Sequence, residues 1–389
     1  MNEVFAPARL GPLRLRNRII KAATFEGRTP QALVSDALID FHRAFAEGGV
    51  AMTTVAYCAV SPEGRTERRQ LWMRPEAAPG LRRLADAVHG AGAAVSAQLG
   101  HAGPVANPAS TRLPALAPSR RPNLLGMSMT RAATREDLER IVRAHGDAAR
   151  VAAESGFDAV EIHLGHNYLA SAFLSPRLNR RDDAYGGELS KRARLAREIC
   201  RAVREAVGGR LAILAKLNMD DGVRGGLRPE ESLQVAAWLE ADGSLDALEL
   251  TAGSSLLNPM YLFRGDAPVK EFAAAFRPPQ RWGVRAMGGR FLRTYPYEDL
   301  YLLDQARAFR RALHLPLVLL GGVTGLETMN RAMAEGFDFV AMGRSLLKEP
   351  GLIDRIRQDP GVTSTCIHCN RCMPTIYRGT HCPIAQAGS

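Results

Sequence analysis

The chain has 389 residues, 46% hydrophobic and 23% charged, enough for a sizeable core and an ordinary length for a (β/α)8 barrel with insertions and a tail. Net charge is +11, but only five of the 51 basic residues are lysines (21, 191, 216, 270, 348), and the arginines are spread among Asp and Glu without a basic, aromatic-interleaved patch. That reads as a solvated arginine-rich surface with no nucleic-acid partner, and the lack of a membrane-length apolar run or signal-peptide pattern points to a cytoplasmic protein.

In chain order the apolar runs predict strands over Arg18–Ala23, Val50–Val55, Ala94–Leu99, Ala159–Ile162, Ala212–Leu217, Ala247–Leu250, Leu317–Leu320 and Phe339–Met342. Helical periodicity fills most intervals, notably Arg135–Ser155, Lys191–Val207 and Tyr297–Leu313. One motif recurs at 46–50, 90–95, 154–160 and 335–340: a helix ends at glycine and an apolar strand begins. Glycine there supplies a left-handed cap, and a continuously apolar strand implies burial on both faces. Eight strands alternating with helices predict an α/β fold, a closed parallel TIM barrel with long βα loops. A doubly wound sheet competes, but no Gly-x-Gly-x-x-Gly follows the first strand. Residues 102–133, rich in Pro, Ser and Arg, form a long loop after strand three, and 253–296 form an insertion after strand six. Both fall on the strand C-terminal face, where barrel sites are built.

The fourth strand ends in Glu161-Ile-His163-Leu-Gly-His166-Asn-Tyr168, two imidazoles and a phenol within six positions. Neutral donors beside a protonated phenol suit a site that grips a carbonyl oxygen and protonates its neighbour. Structural packing of the same rings is the bland alternative. Lys216 stands inside the fifth strand, where a lysine must be paired, snorkelling or functional. Gln98 ends the third strand and offers a two-sided amide. Glycines cluster after strands seven and eight, at Gly321, Gly322 and Gly325 and at Gly343, followed by Arg344. In barrels, such turns are a recurrent phosphate cradle. Near the end, Cys366, Cys369, Cys372 and Cys382 form C-x2-C-x2-C-x9-C. This dense thiol array suits an iron–sulfur cluster, zinc aided by His368 or His381, or an array that binds nothing.

The motifs L-R-N17-R18-I-I, A-V-S-P-E-G-R65, A-Q98-L-G-H-A-G, E-I-H163-L-G-H166-N-Y168 with F-L-S-P-R-L-N-R-R-D-D-A-Y-G-G, Lys216 and G343-R344 together resemble the old yellow enzyme family of FMN-dependent ene-reductases. The likeness spans essentially residues 3–360, and the cysteine tail is similar to that of 2,4-dienoyl-CoA reductase and trimethylamine dehydrogenase, which carry a [4Fe-4S] cluster. It implies an FMN-binding barrel over 1–360 and a packed cysteine-rich extension over 361–389. FMN would lie across the barrel mouth, its phosphate at Gly322, Gly343 and Arg344, its pyrimidine edge on Gln98 and its N1/O2 side on Lys216. Ala22, Ala23, Thr24 and Tyr57 would frame the ring. His163 and His166 would hold a substrate carbonyl, with Tyr168 as proton donor. Phe25 and Pro104 depart from the family pattern, and the last cysteine gap is short. The implied activity is NAD(P)H-driven reduction of the C=C bond of an enone-type substrate. A flavin/iron–sulfur electron-transfer subunit with an external donor is the second reading, and a metal-dependent barrel hydrolase using Glu161, His163 and His166 the third. A homo-oligomer is compatible with any of these.

Overall fold

A computed structural model describes residues 3–123, 126–275, 278, 280–376 and 378–385. Its centre is a closed barrel of eight strands: β1 (Ile19–Lys21), β2 (Met52–Ala59), β3 (Ala94–Gly100), β4 (Ala159–Leu164), β5 (Ala212–Asn218), β6 (Ala247–Thr251), β7 (Leu317–Leu320) and β8 (Phe339–Met342). Every barrel pairing is parallel, and β8 returns to β1 through Met342↔Lys21. All eight predicted strands are present. Strand residues are buried almost without exception, as near-continuous apolar runs require. The recurring glycines adopt the conformation inferred for them, with φ of 101° at Gly49, 76° at Gly92, 83° at Gly156 and 86° at Gly336.

Outward strand residues join the helices in one large core that includes Val95, Val160, Ile162 and Ile213. The lower interior is filled by Ile20, Met52, Ala159, Leu214, Val318 and Phe339. A short hairpin, Ala8–Leu10 against Leu13–Leu15, plugs that end with Leu10 and Leu15, both essentially inaccessible. Full burial of a leucine contributes about 1.5–3 kcal/mol, so the plug leaves only the opposite end open for a site. The hairpin was not among the predicted elements.

Above the mouth, the long loop after β3 carries two small strand pairs, Leu116–Ala117 with Arg131–Ala132 and Pro122–Asn123 with Ser128–Met129, and the insertion after β6 carries the short helices Pro259–Phe263, Val269–Ala274 and Gln280–Phe291. The helix Arg135–Glu154 matches expectation and opens on a capping box made by Thr134 and Asp137. Two helices differ from expectation. The run from Lys191 is split at Ala193 into Leu189–Arg192 and Arg194–Val207. The helix read from Tyr297 begins only at Leu303. Tertiary contacts draw its first residues away: Tyr297 stacks on His368 of the tail with centroids 3.2 Å apart, and the Tyr301 hydroxyl donates to the Leu262 carbonyl at 2.9 Å. Among the described residues no helix is long and apolar enough to cross a membrane.

Candidate active site

Above the apolar plug, inward positions of four adjacent strands turn polar at one level. Gln98 on β3 donates from Nε2 to Glu161 Oε1 on β4 at 2.6 Å. Lys216 on β5 places Nζ 3.0 Å from Glu161 Oε1 and 3.0 Å from Glu249 Oε1 on β6. All four are buried, with Glu249 wholly inaccessible. Burial alone would lower the Lys216 pKa, but Glu161 and Glu249 outweigh it and hold the ammonium above its ordinary value. Burial, reinforced by Glu161, pushes Glu249 up to about 8. Two carboxylates around one cation leave the belt a proton short of neutrality, and burial beside Glu161 favours the protonated form of Glu249. Lys216 is thus a paired lysine, engaged from both sides.

His163 lies one inward step above Glu161 and in register with Lys216. Burial, then His166 and Lys216, hold its pKa well below the usual imidazole range, and burial with Lys216 brings His166 to about 3. Both rings are therefore neutral at physiological pH. Ring centroids are 5.2 Å apart between the histidines and 4.5 Å between His163 and Tyr168. His163 Nδ1 is buried with no hydrogen-bond partner among the described residues. His166 Nε2 pairs with the Thr251 hydroxyl at 2.9 Å. His166 and Asn167 both have φ near the left-handed region, 59° and 58°, which non-glycine residues adopt only when held. Asn218 and Asp221 hold them: the His166 backbone N–H donates to Asn218 Oδ1 at 3.0 Å, and Asn167 Nδ2 donates to Asp221 Oδ1 at 3.1 Å. Tyr168 opens the short helix Leu169–Leu174, whose first N–H donates to the His101 carbonyl at 2.9 Å. Tyr57 stands edge-on to Tyr168 at 5.2 Å, its hydroxyl donating to the Gly64 carbonyl.

On the opposite rim, the two glycine loops are joined by Ser345, whose hydroxyl donates to the Val323 carbonyl at 3.1 Å. Gly322 has φ 78°, and a Cβ there would meet Leu300 N at 2.3 Å. Gly343 faces open space, with Thr24 Cγ2 the nearest atom to an added Cβ at 4.0 Å. Thr24 and Gly343 thereby meet at the β1–β8 seam, with Ala22 bonded through its N–H to the Met342 carbonyl. Ala23 lies between them. Arg344 turns its guanidinium toward the tail: Nη1 donates to Asn370 Oδ1 at 2.6 Å and to the Arg264 carbonyl at 2.9 Å.

The tail is tied to three loops. Besides Asn370, Lys348 Nζ donates to the Thr365 carbonyl at 2.7 Å, and Thr380 N–H donates to the Glu26 carbonyl at 2.7 Å. Cys366, Cys369, Cys372 and Cys382 line one small cavity with Arg344 and Asn370. All four thiols are free. Burial raises the Cys366 thiol and pushes Cys372 up to about 12. Among the described residues no group of three or more His, Cys, Asp or Glu is arranged to hold a single metal ion. Glu161 and His163 share a face, as anticipated for a hydrolase, but Glu161 is engaged by Gln98 and Lys216. Residues 386–389 of the expected extension lie outside the described residues.

Sequence reading missed Glu249, Asn218, Asp221 and Thr251. Glu249 carried the same signal as Lys216, a charged residue within an apolar strand (Ala-Leu-Glu-Leu-Thr).

A family model described as the NADH:flavin oxidoreductase / NADH oxidase family matches residues 3–251. The chain is similar to the 4,4'-dithiodibutanoate disulfide reductase of Rhodococcus erythropolis, 53% identical over 384 residues, 99% of this chain and 95% of that protein. Among solved structures it resembles 2-naphthoyl-CoA reductase in complex with 2-naphthoyl-CoA, with TM-score 0.82 and 25% identity, covering 98% of this chain and 56% of that one. It shares its fold with an old yellow enzyme homologue from Zymomonas mobilis, with TM-score 0.74 and 23% identity over 99% and 98% of the two chains. The chain spans about half the length of several other curated relatives that it matches, 52% in each case.

Proposed function

The chain belongs to the NADH:flavin oxidoreductase / NADH oxidase family, the old yellow enzyme group, and on that footing we propose that it reduces the carbon–carbon double bond of small α,β-unsaturated carbonyl compounds. Its cofactor is FMN and its electrons come from NAD(P)H, as in the family. The residues at the mouth fit that cofactor: Gly343 leaves space that a side chain would fill, and a buried cation and an unpartnered imidazole nitrogen face one mouth. We assign the phosphate to the backbone of Gly322, Gly343 and Arg344, the ring frame to Ala22, Ala23, Thr24 and Tyr57, and the pyrimidine side to Gln98 and Lys216. Arg344 acts there chiefly through its main chain, since its guanidinium is engaged with Asn370.

FMN held there would supply the hydride chemistry. This chain's residues do the rest. His163 and His166, neutral because they are buried, donate hydrogen bonds to the carbonyl oxygen and stabilise the charge that develops there. Tyr168, a phenol with an ordinary pKa of about 10, holds the proton destined for the α-carbon. Asn218 and Asp221 fix the turn at His166 and Asn167, and Thr251 orients the His166 imidazole. The packing of His163, His166 and Tyr168 into one cluster carries the reading.

The 53% identity to a disulfide reductase favours a second acceptor, the disulfide of a small carboxylated thiol. The test is anaerobic: protein reduced with NADH or NADPH is mixed with a cyclic enone or with 4,4'-dithiodibutanoate, and flavin reoxidation is followed by absorbance. Rapid reoxidation by the enone supports double-bond reduction. Reoxidation by the disulfide alone would remove it.

We further propose that the four cysteines hold a [4Fe-4S] cluster. The four thiols line one cavity and supply the four-cysteine ligand set that such a cluster takes. Cys369→Ser is expected to abolish iron incorporation and to loosen the tail while flavin reduction by NAD(P)H persists, because the barrel site is built from other residues. Iron and sulfide analysis of anaerobically prepared protein checks this, and stoichiometric zinc in the wild type would refute it.

A further inference from the structure

The belt of Gln98, Glu161, Lys216 and Glu249 contains one charged group more than a counter-ion for the flavin requires. A lone lysine on that wall, hydrogen-bonded to neutral partners, would supply positive charge at the mouth. Here Lys216 is 3.0 Å from two buried carboxylates, and Gln98 gives its amide hydrogen to the first of them. Three ionised groups would leave an uncompensated negative charge in a water-poor interior, which is costly unless a proton neutralises it. We propose that the Glu161–Lys216–Glu249 cluster is a proton-holding site, with Glu249 as the carrier, that couples the redox potential of the bound flavin to pH.

Charge geometry gives the direction. The belt lies immediately below His163, on the same inward face, and is closed beneath by the apolar plug. Charge added at the mouth is therefore poorly screened from it. Two-electron reduction by hydride adds negative charge to the flavin, and this strengthens the hold of Glu249 on its proton. By linkage, the reduced protein binds that proton over a pH interval where the oxidised protein has released it. In that interval reduction consumes two electrons and two protons, one with the hydride and one taken from solvent onto Glu249. The groups facing Glu249 are few. Glu161 comes from β4 and Lys216 from β5, Gln98 stands beyond Glu161 on β3, and His163 and His166 are neutral above it. Lys21 acts from β1 at longer range, held by Thr24 at 2.6 Å. Val318, Leu320 and Ala341 on β7 and β8 carry no charge. Burial and Glu161 already hold Glu249 up to about 8, so the interval opens on the alkaline side of neutrality.

This rests on the assignment of FMN to the barrel mouth. The experiment is the midpoint potential of FMN in the holoprotein, titrated anaerobically from about pH 6 to pH 10, for wild type and Glu249→Gln. A two-electron couple moves by about 30 mV for each tenfold change in a coupled equilibrium. One proton per reduction thus gives a slope of about 30 mV per pH unit, and two give twice that. The wild type is expected to steepen to the two-proton slope above about pH 8, while Glu249→Gln keeps the one-proton slope throughout. A single unbroken slope in the wild type overturns the proposal. So does a break that survives in Glu249→Gln, because the second proton would then be on the flavin. Where the variant does not fold, indicator-dye measurement of wild-type proton uptake during stoichiometric reduction by NADH at about pH 8.5 decides: roughly one proton taken from solvent per flavin supports the site and none rejects it. A protein purified without flavin would instead remove the cofactor assignment on which the proposal stands.

Discussion

Tyr168→Phe is expected to retain FMN and to be reduced by NAD(P)H at an unchanged rate, yet to be reoxidised by an enone about 10²–10⁴-fold more slowly, the usual contribution of a positioned general acid. The two half-reactions separate because hydride transfer to the flavin requires no proton from the protein, whereas the α-carbon does. Phenylalanine keeps the ring packing on His163 and Tyr57, so a loss of enone turnover reports the hydroxyl. Rapid-mixing measurement of each half-reaction is the check. Equal slowing of both would indicate disturbed packing, and no slowing would pass the proton to water or another side chain. His163→Ala acts differently. It removes a donor to the carbonyl, so binding of phenolic ligands that mimic the enolate should weaken while NAD(P)H-driven reduction persists.

How much of this was legible in the sequence follows from the range of the forces involved. The eight strands were readable because each is marked locally by an apolar run, four of them also by a glycine cap just before it. Residues Leu10 and Leu15 gave no such mark: their strands are three residues long, and they matter only because the barrel needs its lower end closed. Tyr297–Tyr301 matched helical periodicity, but His368, more than sixty residues on, takes Tyr297 out of the helix, and no local pattern encodes that stacking. At the site, the rings of His163, His166 and Tyr168 could be named from one contiguous motif. The belt could not, since Gln98, Glu161, Lys216 and Glu249 lie on four strands and their meaning is set by closure of the barrel. Lys216 was singled out as a cation facing a ligand. Its two carboxylate neighbours alter that role: its charge is shared with the protein before any flavin arrives.

That difference dictates what Lys216→Met should do. Removing one partner from a buried ion pair typically costs about 3–5 kcal/mol, because the charge left behind has neither water nor counter-ion. Here two carboxylates are left, Glu161 and Glu249, both essentially inaccessible. The variant escapes the penalty by taking up protons, first at Glu249, which burial and Glu161 already hold above the unfolded value of about 4.3. A carboxyl raised on folding makes the folded state bind more protons than the unfolded one throughout that window. Stability of the variant must therefore fall as pH rises from about 5 to 8. Denaturant unfolding at those two pH values is the measurement, with the larger deficit against wild type expected at the higher pH. Adding Glu249→Gln to Lys216→Met removes one of the stranded carboxylates and should recover part of the loss at pH 8 but little at pH 5, a coupling that independent sites would not show. A deficit identical at both pH values, or a double variant no better than the single, would mean that Lys216 acts through packing of its alkyl chain and that the carboxylates never depended on its charge.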